Sequence, residues 1–513
     1  MIRLLFGLLA AASFLTAAEE TPPRHPNIIV IMADDLGHGD LSCYGAKAVQ
    51  TPSIDRLAQE GVRFTNGYSS ASTCTPTRWS LFTGTYAVRG KNTGIAPPNG
   101  PALIQPGTVT LPSLLQGAGY RTAVIGKWHL GLGDPAPDWN GELKPGPLEI
   151  GFDHCFLLPT TNDRVPQVFV EDHRVKNLDP ADPLWVGDKK PSPDHPTGIT
   201  HRKDLKMDWS HGHNQTIHNG ISRIGFYTGG TAARFRDEDL ADTFIAETRR
   251  WMESNKDHPF FLFFASPDIH VPRVVHERFQ GKSSLGPRGD AIVQFDWTVG
   301  EILKSVDALG LRENTLIVLC SDNGPVLDDG YKDDAVEKLG DHRPAGPCRG
   351  GKYSAFEGGT RTPFITRWPG RIQPGTSDEI VCTIDFAASF AALTGQSIPD
   401  NACLDSFNVL SALLGEKGAR GRDHLLQQGN DDRVLALREG DWKLMRLKKT
   451  WKPAATVEID PPPAPRREWT LYDLAKDPGE TRDLSAEHPE RLKDMQAKLE
   501  TILSSGRTRP LTP

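Results

Sequence analysis

The sequence has no surplus of positive charge. Its 58 Lys and Arg stand against 65 Asp and Glu, a formal net charge of -7. A protein that neutralises a phosphate backbone needs the opposite balance, so nucleic acid is excluded as a partner. Past the first residues there is no apolar run long enough to cross a bilayer, and no membrane span is expected. Cysteine is scarce and odd in number, with seven residues at 43, 74, 155, 320, 348, 382 and 403. None of these forms the close-spaced pairs that hold zinc. An odd count leaves one thiol unpaired in an exported chain. Cys74 is the candidate set aside for chemistry, and the others read mostly as buried thiols.

What is present begins with a processing segment. Arg3 precedes an apolar run from Leu4 to Leu15 and then Thr16-Ala17-Ala18. That is a charged start, a core too short to span and a small-residue cleavage site, so residues 1–18 read as a signal peptide. The protein is therefore expected to be periplasmic or secreted. At 513 residues, the chain exceeds one ordinary core. A change of character near Asp400 divides it into a catalytic α/β domain, 19–400, and a C-terminal α+β subdomain, 401–513. The latter should hold a hairpin from Val434 to Met445, a strand Trp469–Asp473 and a helix Pro489–Ser505. A Pro-rich loop, Pro453–Arg467, lies between its strands.

Four apolar segments read as strands buried on both faces: Asn27–Met32, Tyr120–Ile125, Pro259–Phe264 and Thr315–Cys320. Each runs straight into a polar cluster. These are Asp34-Asp35, Lys127-x-His129, Asp268-x-His270 and Asp322-Asn323-Gly324. Helices are expected between them, notably at Thr51–Gly61, Leu111–Gln116, Glu238–Asn255 and Asp290–Ala308. This alternation predicts a large parallel or mixed sheet flanked by helices, with one site along its carboxyl edge. If Lys127 and His129 stay extended, they project to the same side. From Asp134 to Gly230 the periodicity is weak, as in a functional insertion. Within it, His211-x-His213 can be read as a transition-metal pair or as part of a polar loop. Glycines bracket Lys352, so its amine can reach a cleft or simply sit on a surface turn.

The stretch Cys74-Thr-Pro76-Thr-Arg78 runs on to Thr83-Gly84. Pro76 suits a helix first turn, Thr77–Phe82 can form the helix, and Gly84 can end it. Cys74 then stands just before the helix N-terminus, where the macrodipole lowers a thiol pKa. Arg78 follows four residues later on the same face.

Taken with the Asp-Asp pair, Gly126-Lys-Trp-His-Leu-Gly131, His270-Val-Pro272, Ser321-Asp-Asn-Gly324 and Gly350-Gly-Lys352 before Glu357-Gly-Gly359, this motif resembles the signature set of the type I, formylglycine-dependent sulfatases. The resemblance spans nearly the whole mature chain and implies the alkaline-phosphatase-like fold. It implies Ca²⁺ held by Asp34, Asp35, Asp322, Asn323 and the modified Cys74. Hard oxygen ligands suit such a cation. It further implies that a maturating enzyme converts Cys74 to formylglycine, whose hydrate attacks sulfur. Lys127 and Lys352 match the sulfate-binding lysines, and Arg78 would hold the hydrate. His270 would protonate the departing oxygen, while His129 would assist release of sulfate. The family's frequent second His before His270 is replaced by Pro267-Asp268-Ile269, which leaves Lys352 as the backup donor.

The expected substrate is a sulfated saccharide. Asn162, Asp163, Arg164 and Arg273 are the candidates for reading its sugar, although a surface salt bridge would explain the Asp-Arg pair as well. Two alternatives stay open from sequence. One is a phosphate or phosphonate monoester hydrolase of the same superfamily. The other is a non-catalytic protein that binds sulfated glycans and leaves Cys74 unmodified.

Overall fold

A computed structural model describes residues 25–187, 189–190, 192, 195–448 and 467–510. The signal segment 1–18 and most of the Pro-rich loop lie outside these residues.

Ten strands form the main sheet. In chain order they are β1 (Asn27–Ala33), β2 (Val62–Phe64), β3 (Arg121–Lys127), β4 (His154–Leu158), β5 (Val170–Glu171), β6 (Arg174–Val175), β7 (Phe260–Ala265), β8 (Thr315–Ser321), β9 (Phe364–Arg367) and β10 (Gly375–Ser377). Their spatial order is β10-β2-β9-β8-β1-β7-β3-β4-β5-β6. The four apolar segments predicted as strands are the middle of this sheet. β8, β1, β7 and β3 run parallel, and β9 then pairs antiparallel with β8. The sheet is therefore mixed, as expected.

Strands this apolar need cover on both faces. Ile28, Val30 and Met32 turn into one hydrophobic cluster, and Ile29, Ile31 and Ala33 into another. The second cluster includes the inner faces of α1 (Pro52–Gln59), α4 (Leu240–Asn255) and α5 (Gly286–Ala308). Register brings the strand ends level: Met32 pairs with both Ala265 and Cys320, and Ala265 pairs with Gly126. Gly126 allows that approach, since a Cβ there would lie 1.9 Å from the Ala265 carbonyl oxygen.

Three local expectations change. The helix bearing the motif, α2, starts at Cys74 and runs to Thr83, with Thr73 as N-cap. Pro76 is thus its third residue, still within the turn whose N–H groups lack helical acceptors. α5 begins at Gly286 rather than Asp290. His129 is not extended, having φ 55 just beyond the end of β3.

The C-terminal part carries a four-stranded antiparallel sheet. It comprises β11 (His424–Gln428), β12 (Val434–Glu439), β13 (Trp442–Leu447) and β14 (Trp469–Asp473), in that spatial order. Glu439 pairs with Trp442 across a two-residue turn in which Gly440 has φ 56, as the hairpin reading predicts. The last helix, Pro489–Ser504, buries Met495, Leu499 and Ile502 against this sheet. Among the described residues, no helix is long and apolar enough to cross a membrane. All seven cysteines are free thiols, and every one except Cys43 is buried.

Candidate active site

Because the central strands end level, their polar successors meet. Asp34 and Asp35 follow β1, Lys127 closes β3, His270 follows β7, and Asp322 and Asn323 follow β8; all are buried. α2 brings Cys74 against His129 and Arg78 against Asp322 and the Lys127 carbonyl. Arg78 is fully buried, and its Nε and Nη2 donate to Asp322 Oδ2 at 3.0 and 2.8 Å. Its Nη1 donates to the Lys127 carbonyl at 2.9 Å. Lys127 Nζ donates to Asp34 Oδ2. Lys352 Nζ bridges Asp35 Oδ2 at 2.9 Å and Asp329 Oδ2 at 2.8 Å.

Cys74 Sγ lies 3.2 Å from His129 Nδ1. His129 Nε2 faces the Ala96 carbonyl at 3.1 Å, and a carbonyl can only accept. Nε2 therefore carries the proton, and Nδ1 presents its lone pair to residue 74. Thr75 fixes this arrangement by donating to the His129 carbonyl and accepting from the Ala96 N–H, both at 3.1 Å. The same reasoning applies to His270, whose Nδ1 donates to the Val271 carbonyl at 2.7 Å. Its Nε2 is left bare, 3.9 Å from Asp35.

Burial dominates the electrostatics. It pulls His129 well below its ordinary value, with Lys127 adding to the effect, and pulls His270 down to about 4, with Lys352 adding. Burial also pushes the Cys74 thiol up. This corrects the expectation that the helix N-terminus lowers it, because the dipole acts here on a group with no access to water. Burial and the neighbouring Asp322 push the Asp34 carboxyl well up. For Asp322 burial pushes the same way, but Arg78 and Lys127 prevail and hold it low.

The donor set fits a hard divalent cation. Asp34 Oδ1 and Asn323 Oδ1 are buried with no hydrogen-bond partner among the described residues. One donor atom each from Asp34, Asp35 and His270 lie within 4.8 Å of one another. Asp322 gives one oxygen to Arg78, while its Oδ1 meets only the Asp35 N–H, at a long 3.4 Å. Unsatisfied oxygens at this density call for positive charge.

The sugar-reading candidates divide. Asp163 is buried, with Oδ2 3.1 Å from Arg164 Nη1 and 2.9 Å from His213 Nε2. Arg164 keeps 17% of its side chain exposed, more than any other candidate residue. Burial pulls its guanidinium down, but Asp163, Cys74, Tyr353 and Asp329 together raise it above its ordinary value. Asn162 turns inward, donating to the carbonyls of His270 and Pro272 at 3.1 and 3.3 Å. It pins the segment that carries His270.

Arg273 does not reach the site as a free donor, which corrects its reading as a sugar contact. Its guanidinium is spent on Asp333 at 2.7 Å and on the carbonyls of Ile269, Val326 and Leu327. His211 and His213 do not pair around a metal, because His213 turns its ring to Asp163. Asp329 and Tyr353 were not anticipated. Tyr353 donates to Asp329 at 2.9 Å, and both lie in aperiodic loops where only proximity to Lys352 marks them.

The sulfatase family model matches residues 26–396. An N-acetylgalactosamine-6-O-sulfatase of Bacteroides thetaiotaomicron is 48% identical over 518 residues, covering 97% of this chain and 98% of that protein. A steryl-sulfatase of Rattus norvegicus is 32% identical, covering 96% and 91%. A solved structure reported under the metabolism of multiple glycosaminoglycans by Bacteroides thetaiotaomicron superposes with a TM-score of 0.88 at 46% identity. It covers 94% of this chain and 100% of that one. Likeness along whole chains, on a fold and a buried charge cluster of this kind, makes this chain a member of the sulfatase family and an enzyme that hydrolyses sulfuric esters.

Proposed function

We propose that the protein removes the 6-O-sulfate from N-acetylgalactosamine residues at accessible ends of sulfated saccharides. The observation that carries this reading is the 48% identity to the N-acetylgalactosamine-6-O-sulfatase across both full lengths. Burial supports action on an end, because Cys74, Lys127, His270 and Lys352 are each no more than 6% exposed. A buried cluster of that kind suits one ring rather than the middle of a chain.

In this reading a maturating enzyme would convert Cys74 to formylglycine, and Asp34, Asp35, Asp322, Asn323 and the modified Cys74 would hold Ca²⁺. Together these groups would supply an oxygen nucleophile and a hard Lewis acid at sulfur. The remaining work falls to the chain's own side chains. Lys127 and Lys352 offset the charge of the sulfate oxygens. Arg78, fixed by Asp322 and the Lys127 carbonyl, orients residue 74. His129 Nδ1 holds or returns a proton at residue 74. His270 exchanges a proton with the leaving oxygen through Nε2, since Nδ1 is tied to Val271. Arg164 reads the sugar, kept in place by Asp163. The leader at 1–18 places the enzyme in the periplasm or outside the cell, with the catalytic domain over 19–400 and the smaller subdomain over 401–513.

The test is sulfate release from saccharides ending in N-acetylgalactosamine 6-sulfate, its 4-sulfate isomer, or N-acetylglucosamine 6-sulfate. Turnover of the first alone is expected. It should be lost on chelation and restored by Ca²⁺ but not by Zn²⁺. Preference for the 4-sulfate would overturn the substrate reading, and restoration by Zn²⁺ alone would overturn the metal assignment.

A further inference from the structure

His213 lies in the long insertion, far in sequence from every strand end that builds the site. Its ring is nonetheless buried, and Nε2 ties it to that site. Nε2 lies 2.9 Å from Asp163 Oδ2, and Nδ1 lies 2.9 Å from the His211 carbonyl. A carbonyl accepts only. The Asp163 carboxyl also accepts only: burial pushes it up, but Arg164, His270 and His213 hold it well below the carboxylate range, so it is ionised. The ring therefore donates to Asp163 through its Nε2–H.

The cradle around this ring is specific. Tyr331 packs against it with ring centroids 4.7 Å apart. Ser222 Oγ donates to the His213 carbonyl at 2.6 Å, and Tyr331 in turn donates to the Ser222 carbonyl at 2.7 Å. Gly330, with φ +109, leaves the space the ring fills, since a Cβ there would lie 1.8 Å from Nδ1. Gly330 directly follows Asp329, which holds Lys352. The ring therefore joins the loop that carries Asp163 and Arg164 to the loop that carries Asp329.

We infer that His213 is a positioning residue for substrate recognition. Through Nε2 it fixes Asp163, and through Asp163 it sets the Arg164 guanidinium. Without it, Asp163 keeps Thr161 and Arg164 as neighbours but loses the second contact on Oδ2. Arg164 would then swing with it. The sulfate-binding lysines do not touch His213, so the loss should fall on binding of the sugar. This inference rests on the saccharide reading above, and its test separates the two.

The variants are His213→Gln, which keeps one donor, Asp163→Asn, and the double variant, each compared with wild type on an N-acetylgalactosamine 6-sulfate saccharide and on 4-nitrophenyl sulfate. His213→Gln should raise KM for the saccharide by about tenfold or more, the scale of one lost charged hydrogen bond, and lower kcat far less. Its loss on the saccharide should exceed that on the aryl ester by a similar factor. Adding Asp163→Asn should deepen the loss by less than Asp163→Asn costs on its own, because either change breaks the His213–Asp163 contact while only Asp163→Asn weakens the hold on Arg164. Equal losses on the two substrates, or full additivity, would overturn the proposal. A second readout needs no substrate. The ¹⁵N shifts of His213, assigned from their disappearance in His213→Gln, should report a proton on Nε2, the nitrogen that faces Asp163, whereas an unprotonated Nε2 would overturn the proposal. If wild type hydrolyses the aryl ester but no sulfated saccharide, the substrate reading fails while the ¹⁵N result still judges the His213–Asp163 contact.

Discussion

Cys74 is surrounded by groups that an inert core thiol would not need. His129 points a lone pair at its sulfur from 3.2 Å, and the positive charges of Lys127 and Lys352 act on it. Replacing it by alanine removes one sulfur and one weak contact from a site held together by other residues. Cys74→Ala should therefore fold, at a cost on the order of 1 kcal/mol, and show no turnover of any sulfate ester. Thermal unfolding beside a sulfate-release assay checks both halves, and appreciable turnover would refute the role given to residue 74. Sequence revealed this residue because a strict motif carried it, and it revealed Asp34, Asp35, Lys127, His270 and Asp322 because each closes or follows a strand. Asp329, Tyr353 and His213 gave no such signal. Their positions depend on how aperiodic loops fold back, which no local pattern encodes. Arg273 misled for the same reason, since its partner Asp333 is 60 residues away and Arg273 looked free.

At the scale of elements, the turn after β1 must hold two adjacent carboxylates in a dry site. It is braced from behind by Asp40. Asp40 accepts from Gly37 N–H at 2.8 Å, from Arg288 on α5 through two bonds of 2.7 Å, and from His342 at 2.9 Å. Burial pushes the Asp40 carboxyl up, but Arg288 prevails and lowers it to about 2. A folded value below the unfolded one means that this carboxylate contributes stability above about pH 4 and loses it as pH falls toward 2. The contribution is about 2 kcal/mol. Asp40→Asn should therefore be less stable than wild type at pH 6, and the gap should close toward pH 2.5. Urea unfolding at both pH values measures it, and a gap independent of pH would show that Asp40 acts through packing alone. The strands around this turn were readable because continuous β-branched and aromatic runs allow little else. Helix α2 was misplaced by its first turn because Pro is tolerated anywhere in the first turn, so Pro76 did not fix the start.

Over the whole molecule, the main sheet and the C-terminal sheet are joined through buried charge as well as apolar packing. Lys443 on β13 sends its ammonium into the seam, 3.0 Å from Glu357 and 3.0 Å from Glu480. Glu357 opens the short helix five residues after Lys352, and Glu480 accepts the Glu357 N–H at 2.6 Å. Two carboxylates thus share one fully buried amine, and Arg438 lies 3.6 Å from Glu357. Burial pushes Glu480 up to about 7, and Glu357 adds to this against the pull of Lys443. Removing the amine leaves both carboxylates without their shared partner, and breaking a buried pair in this way costs about 3–5 kcal/mol. Lys443→Met, which keeps most of the side-chain length, should lose stability on that scale. Sign and pH window follow from Glu480. Its folded value lies above the unfolded 4.5, so the folded state binds the proton more tightly and stability declines as pH rises through about 7. Without Lys443 the folded value rises further, so the deficit of Lys443→Met should be largest at pH 8 and smaller at pH 5, where Glu480 is protonated with or without the lysine. Unfolding in urea at these two pH values decides it. A deficit as large at pH 5 as at pH 8 would mean that Lys443 acts through packing and through Glu357, which, against burial, Lys443 and Arg438 hold low and ionised at both pH values, and not through Glu480.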